Sequence, residues 1–245
     1  MTALDVRDLH KSFGGLRVAT AVNLAVAAGE RRLIIGQNGA GKTTLFNLIT
    51  GELRIDSGSI TLFDSDITGA AARHRAHLGL ARTYQIITLF PGETLLHNVM
   101  LSLLGLSSLR WNPIVRLDRQ HDLLDKTRDA LARVGLDHLA ERPVAQTSYG
   151  ERRRIEIAMA LAQNPRVLLL DEPFAGLSIE ERRDVLKLIA GIPRAVTIVM
   201  IEHDMDVALE FAERITVLHF GRVVVEGSRA EVVGHPRTKE IYLGA

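Results

Sequence analysis

Apolar positions from the N-terminus to about Val26 alternate loosely with polar ones and are rich in Val and Leu, so this stretch predicts β-strands. Arg31 to Ile35 (RRLII) is a short apolar run that leads into a glycine-rich segment and predicts a buried strand. Lys42 to Thr50 predicts the helix after it, and Ser59 to Phe63 a further strand behind the turn residues Asp56-Ser57-Gly58. Leu78 to Tyr84 is strand-like. From about Thr94 to Ala162 the period changes. Leu124, Thr127, Leu131 and Val134 step by three, four and three, a helical stripe, and Glu151 to Gln163 is helical in composition. Short apolar runs return at Val167–Leu170 and Val196–Ile201, with helical stretches between them, which predicts parallel βαβ units. Ile215–His219 and Arg222–Glu226 predict a strand pair turned at Phe220-Gly221.

The chain has 245 residues, enough for one or two domains with a real core. Lys plus Arg number 30 and Asp plus Glu 29, a net charge of +1, which argues against a chain built to coat nucleic acid or an anionic bilayer. The absence of cysteine excludes disulfides, Cys-ligated zinc and thiol nucleophiles. The opening MTALDVRDLHKSF lacks the apolar core and cleavage site of a secretory signal. No apolar run approaches the ~18 residues of a membrane span, so work at a membrane is expected to proceed by docking to another component.

The chemistry concentrates in a few segments. Gly36-Gln37-Asn38-Gly39-Ala40-Gly41-Lys42-Thr43 fits G-x-x-x-x-G-K-[ST] at every fixed position, between a predicted strand and a predicted helix. Glycines let backbone N–H groups curl toward phosphate oxygens, and the helix N-terminus favours anions. Lys42 reaches the β- and γ-phosphates in such a loop, and the Thr43 hydroxyl ligates Mg²⁺. Val167 to Leu170 ends on Asp171 and Glu172, at the strand end where α/β sheets bind ligands. Asp171 suits a Mg²⁺ ligand, direct or through water, and Glu172 a general base for the attacking water. Alone, the pair would simply cap a strand; beside a phosphate loop the metal reading is favoured.

Three further features stay open on residues alone. Gln85 could orient water or touch a metal, although a lone Gln reads first as surface. His203 could hydrogen-bond the γ-phosphate or be structural. Ser148 and Glu151 have capping-box spacing, and the same helix start could bind a second anion. Arg152, Arg153 and Arg154 read as a solvated face rather than a nucleic-acid patch.

The order phosphate loop, Gln, Ser-Tyr-Gly-Glu, Asp-Glu strand, His resembles the nucleotide-binding subunit of ABC transporters from Leu4 to Leu243. The resemblance implies an α/β P-loop NTPase core, residues 1–92 and 164–245, with an N-terminal antiparallel β-subdomain. A helical subdomain carrying the signature motif is expected at 93–163. It implies ATP and Mg²⁺ bound by Asn38, Gly39, Ala40, Gly41, Lys42, Thr43 and Thr44, with Phe13 stacked on adenine and Val18 beside it. Thr43, Gln85 and Asp171 would hold the metal; Glu172, His203 and Gln85 would serve hydrolysis. Ser148, Gly150 and Glu151 match the signature that meets the nucleotide of a second subunit, in a homodimer or a similar heterodimer.

Within the family, Gly79–Gln85, Leu89–Pro91, Ala175–Leu177, Ile201–Met205 and Ile241–Gly244 look like the ATPases of branched-chain amino acid importers, a group that includes urea and short-amide importers. Gly150 to Ile157 also resembles the lipopolysaccharide exporter's ATPase, the second reading; a soluble ABC ATPase is the third. The importer reading implies transmembrane permease partners, a periplasmic binding protein indirectly, no nucleic acid, and a peripheral place on the cytoplasmic face of the inner membrane. The permease contact is expected by Gln85 and Thr94–Trp111, where Leu95, Val99 and Leu103 could equally be core. The chain departs from the family at Gln37, usually Pro, at Tyr149 and Glu151 in the signature, and at Ser178, where an Asp usually links the two ATP sites.

Overall fold

The predicted N-terminal strands form one long hairpin in the computed structural model, which describes residues 1–112, 114, 116–203 and 209–243. Strand β1 (Thr2–Phe13) pairs antiparallel with β2 (Leu16–Ala27), and the alternation of buried and exposed positions along β2 follows the period-two pattern. On its other edge β1 pairs with β4 (Ser57–Leu62), which continues to the short β5 (Ser65–Asp66), giving a four-stranded antiparallel sheet β2-β1-β4-β5. Strand β4 starts two residues before the expected Ser59. Asp204, Met205 and Gly244, part of the importer-like stretches, lie outside the described residues.

The second sheet has the order β10-β9-β3-β8-β7-β6. Its strands are β3 (Arg31–Ile35), β6 (Leu80–Arg82), β7 (Val167–Asp171), β8 (Thr197–Ile201), β9 (Arg214–His219) and β10 (Arg222–Ser228). Strands β9, β3, β8, β7 and β6 run parallel, and β10 adds an antiparallel edge. Every residue of β3, β7 and β8 is buried, as expected for parallel strands covered on both faces. The β9–β10 turn falls at Phe220 (φ 45°) and Gly221 (φ 70°), both left-handed, the conformation of a two-residue type I′ hairpin.

Helix α1 (Lys42–Thr50) buries Leu45, Phe46, Leu48 and Ile49 in the same core as Ile34, Leu169 and Val199. Each such side chain contributes about 1.5–3 kcal/mol relative to exposure. Helix α2 (Ala72–His77) supplies the buried Arg75, whose Nη1 donates to the carbonyls of Leu48 at 2.8 Å and Ile49 at 2.7 Å. A cation thereby satisfies carbonyls in the last turn of α1.

Chain contacts divide the molecule into two compact units. The first comprises Met1–Arg82, Arg166–Glu172 and Ile192–Ala245 and holds both sheets. The second comprises Thr83–Pro165 and Pro173–Gly191. It contains α3 (Leu95–Leu106), α4 (His121–Arg133), α5 (Tyr149–Ala162) and α6 (Ile179–Ala190). Leu95, Val99, Leu131, Val134, Ile155 and Ala158 make its core, so Leu95 and Val99 are interior residues, with Leu103 packed against them. This unit takes in residues 83–92, 164–165 and 173–191 together with 93–163. Two contacts account for this. The Tyr84 N–H donates to Glu156 of α5 at 2.7 Å, and the Gly150 N–H donates to Glu181 of α6 at 3.1 Å.

Candidate functional site

The loop after β3 leaves the carboxyl end of a strand flanked by β8 and β9 and enters α1 at Gly41. Gly41 has φ 100°, and a Cβ there would sit 2.7 Å from the Val18 carbonyl oxygen, so both backbone angle and space require glycine. No side chain caps α1. Its leading N–H groups, without intrahelical acceptors, present a partial positive charge at Lys42, Thr43 and Thr44. The buried Lys42 ammonium folds back over the loop and donates to the Gly36 carbonyl at 2.7 Å and the Gln37 carbonyl at 3.2 Å. Burial pulls its pKa below the usual lysine range, while Glu172, Asp171 and Glu202 act in the opposite direction. Asn38, Gly39 and Thr43 are exposed, Ala40 is buried and Thr44 half-buried.

Asp171, the last residue of β7, is fully buried. Its Oδ2 accepts a hydrogen bond from Arg82 at 2.8 Å. Burial pushes the Asp171 carboxyl above the usual aspartate range; the Arg82 bond works against that shift. Glu172 then turns into the left-handed region at φ 47°, which for a non-glycine residue costs roughly 1–2 kcal/mol. Its N–H donates to the Ile201 carbonyl at 2.9 Å, and its Oε1 lies 3.6 Å from His203 Nδ1. The fully buried Glu202 accepts the His203 backbone N–H at 3.0 Å.

The first unit thus brings Lys42, Asp171, Glu172, Glu202 and His203 within electrostatic or direct contact of one another. Phe13 ends β1 with 48% of its surface exposed, and the Val18 carbonyl packs against the phosphate loop at Gly41. Gln85, Ser148, Gly150 and Glu151 belong to the second unit. The Ser148 Oγ accepts the Glu151 N–H at 3.1 Å while the Glu151 carboxylate accepts the Ser148 N–H at 2.7 Å, a complete capping box on α5. At Gly150 a Cβ would come within 2.4 Å of Glu181 Oε1, so the Glu181 side chain would have to move aside for any larger residue there.

One expectation is corrected. Arg153 is not on a solvated face; it is fully buried. Its guanidinium donates to Glu156 at 2.6 Å, to the Tyr84 carbonyl at 2.8 Å and to the Gln85 carbonyl at 3.2 Å. Its neighbours Arg152 and Arg154 are only half-buried, because adjacent residues on a helix point about 100° apart. Arg82 and Glu202 escaped sequence reasoning altogether. Arg82 sits in the importer-like stretch Gly79–Gln85, and nothing local shows that its partner lies at the end of another strand.

These residues fit a nucleoside triphosphate and its metal. Among the described residues no group of three or more His, Asp or Glu side chains could hold a metal by itself. A Mg²⁺ ion commonly takes one or two protein oxygens plus phosphate oxygens and waters, which suits Thr43 and Asp171 beside an anion-binding loop.

The phosphate loop on a parallel strand, with an Asp-Glu pair ending a neighbouring strand of the same sheet, defines a P-loop NTPase. The family model described as "ABC transporter" matches residues 19–175. The high-affinity branched-chain amino acid transport ATP-binding protein LivG of Escherichia coli K12 is 36% identical over 98% of this chain and 97% of its own. The lipopolysaccharide export system ATP-binding protein LptB of Acidithiobacillus ferridurans is 36% identical over 98% of this chain and 96% of its own. An ATP-binding cassette of an ABC transporter, solved in its ADP conformation, superposes with a TM-score of 0.88 at 30% identity over 100% of both chains. The chain belongs to the ABC transporter family as an ATP-binding, ATP-hydrolysing domain.

Proposed function

We propose that this chain is the ATPase subunit of a membrane importer for branched-chain amino acids or related small polar or amide solutes. The carrying observation is the buried Lys42 ammonium held in the loop at Gly36 and Gln37, with Asp171 and Glu172 acting on it. Asn38 to Thr44 bind the triphosphate through backbone N–H groups, Lys42 and the α1 N-terminus. Phe13 stacks on adenine with Val18 beside it, which its exposed ring at the hairpin tip supports. Thr43 and Asp171, both of the first unit, would hold Mg²⁺, which would neutralise phosphate charge and orient the phosphates. Glu172 accepts a proton from the water that attacks the γ-phosphorus, releasing ADP and phosphate. His203, placed by Glu202, hydrogen-bonds the γ-phosphate.

Ser148, Gly150 and Glu151 complete the site of a second ATP-binding subunit, in a homodimer or similar heterodimer. The pair works under transmembrane permease subunits, served indirectly by a periplasmic binding protein, on the cytoplasmic face of the inner membrane. Among the described residues no helix is long and apolar enough to cross a membrane, so attachment through the permease fits. Likeness to LivG over nearly the full length supports import. Likeness to LptB keeps lipid export as the outcome that would replace it.

Glu172→Gln is expected to abolish ATP hydrolysis and leave ATP binding; normal turnover would remove Glu172 as the base. Deleting the gene should abolish ATP-driven uptake of leucine, isoleucine and valine. Unchanged uptake with a defect in lipid export would overturn the importer reading.

A further inference from the structure

Arg82 ends β6, the edge strand paired with β7, and its side chain is only 5% exposed. The guanidinium splits its donors. Nη2 goes to Asp171 Oδ2 at 2.8 Å, and Nη1 goes to Asn47 Oδ1 of α1 at 2.6 Å. The Glu52 carboxylate lies 3.4 Å from Nη1, and the Phe46 ring lies under the guanidinium at 5.6 Å. All of these residues belong to the first unit. One planar group therefore spans the end of β6, the end of β7 and the helix that begins at the phosphate loop. Lysine could not do this, because an ammonium is a point charge without a rigid fork.

We propose that Arg82 is a positioning residue for the metal: it fixes the orientation of the Asp171 carboxylate and ties it to α1 through Asn47. A carboxylate ligand is held by its own outer hydrogen bonds, and losing such a partner typically costs about 10–100-fold in metal affinity. The fork also couples two halves of the site. Thr43, at the start of α1, and Asp171, at the end of β7, are kept in register through Asn47 and Arg82. The inference rests on the reading of Asp171 as a Mg²⁺ ligand.

The test titrates Mg²⁺ into the purified chain with a fluorescent, non-hydrolysable ATP analogue, starting in EDTA. Arg82→Met is expected to leave analogue affinity in EDTA within twofold of the parent and to raise the half-saturating Mg²⁺ concentration at least tenfold. An unchanged or lower Mg²⁺ requirement overturns the proposal. Arg82→Lys keeps charge and stem, guards against a folding failure of the Met variant, and is expected to raise the requirement at least threefold. A Lys variant equal to the parent shows that charge alone suffices and also overturns the fork. Asp171→Asn separates the two readings. If it keeps the full Mg²⁺ effect, the metal site itself is misassigned and the Arg82 role falls with it. If it loses the effect while both Arg82 variants behave as the parent, only the Arg82 role falls.

Discussion

Inside the second unit the Glu156 carboxylate accepts a hydrogen bond from the fully buried Arg153 at 2.6 Å, and its other oxygen accepts the Tyr84 N–H at 2.7 Å. Arg153 returns to the same segment through the Tyr84 and Gln85 carbonyls. Two residues of one helix, Arg153 and Glu156, thus hold the backbone that carries Gln85. Removing one partner strands a buried charge. Glu156→Ala is expected to destabilise the protein by about 3–5 kcal/mol, read from urea unfolding. Replacing both, Arg153→Met with Glu156→Leu, should recover most of that loss, since two apolar groups leave no stranded ion.

Two capping boxes in the second unit offer an internal control. Ser148 caps α5 and Ser178 caps α6, each accepting the N–H three residues on. Ser148→Ala and Ser178→Ala should each cost about 1 kcal/mol in thermal unfolding. If Ser148 also meets a partner's nucleotide, only Ser148→Ala lowers ATPase activity beyond the stability effect. Equal activity losses would leave Ser148 as a cap alone.

The Glu181 carboxyl is held below the ordinary glutamate range by hydrogen bonds from the Ser178 backbone and side chain, with Gly150 adding a further donor. The unfolded chain therefore binds more protons near pH 4 than the folded one, so this contribution is present above the unfolded pKa of about 4.3 and is lost as pH falls through the lower folded value. The urea midpoint of the parent should exceed that of Glu181→Gln at pH 7, with the gap closing below about pH 4.

Gln37 points away from phosphate chemistry. Its side-chain amide donates to the Ile241 carbonyl in the C-terminal helix Pro236–Leu243. Gln37→Ala is expected to leave ATP affinity unchanged within about twofold, well under 1 kcal/mol. It should speed tryptic cleavage at Arg237 and Lys239, followed by mass spectrometry. Unchanged cleavage would show that the bond does not hold the helix.

Much of the site was legible because its signals are local. The glycine spacing of the phosphate loop, the apolar run ending on Asp171, and the Ser148–Glu151 box all act within a few residues. The buried strands β3, β7 and β8 were legible as short apolar runs. The burial of Arg153 was not, because a charged triplet reads as solvated unless the facing residues are known. The left-handed turn at Glu172 was not either, since glutamate has no preference for it and the surrounding sheet imposes it.

By itself the sequence determined a glycine-rich loop between strand and helix, an acidic strand end and a capped helix, because period, turn and cap chemistry are encoded between near neighbours. Tertiary structure alone decided which groups confront one another. Arg82 and Asp171 are 89 residues apart and meet only because β6 pairs in parallel with β7. Arg82 reaches Asn47 only because α1 returns over the same sheet core. Such contacts depend on strand order and helix docking, which follow from burying the whole apolar surface at once and leave no local mark.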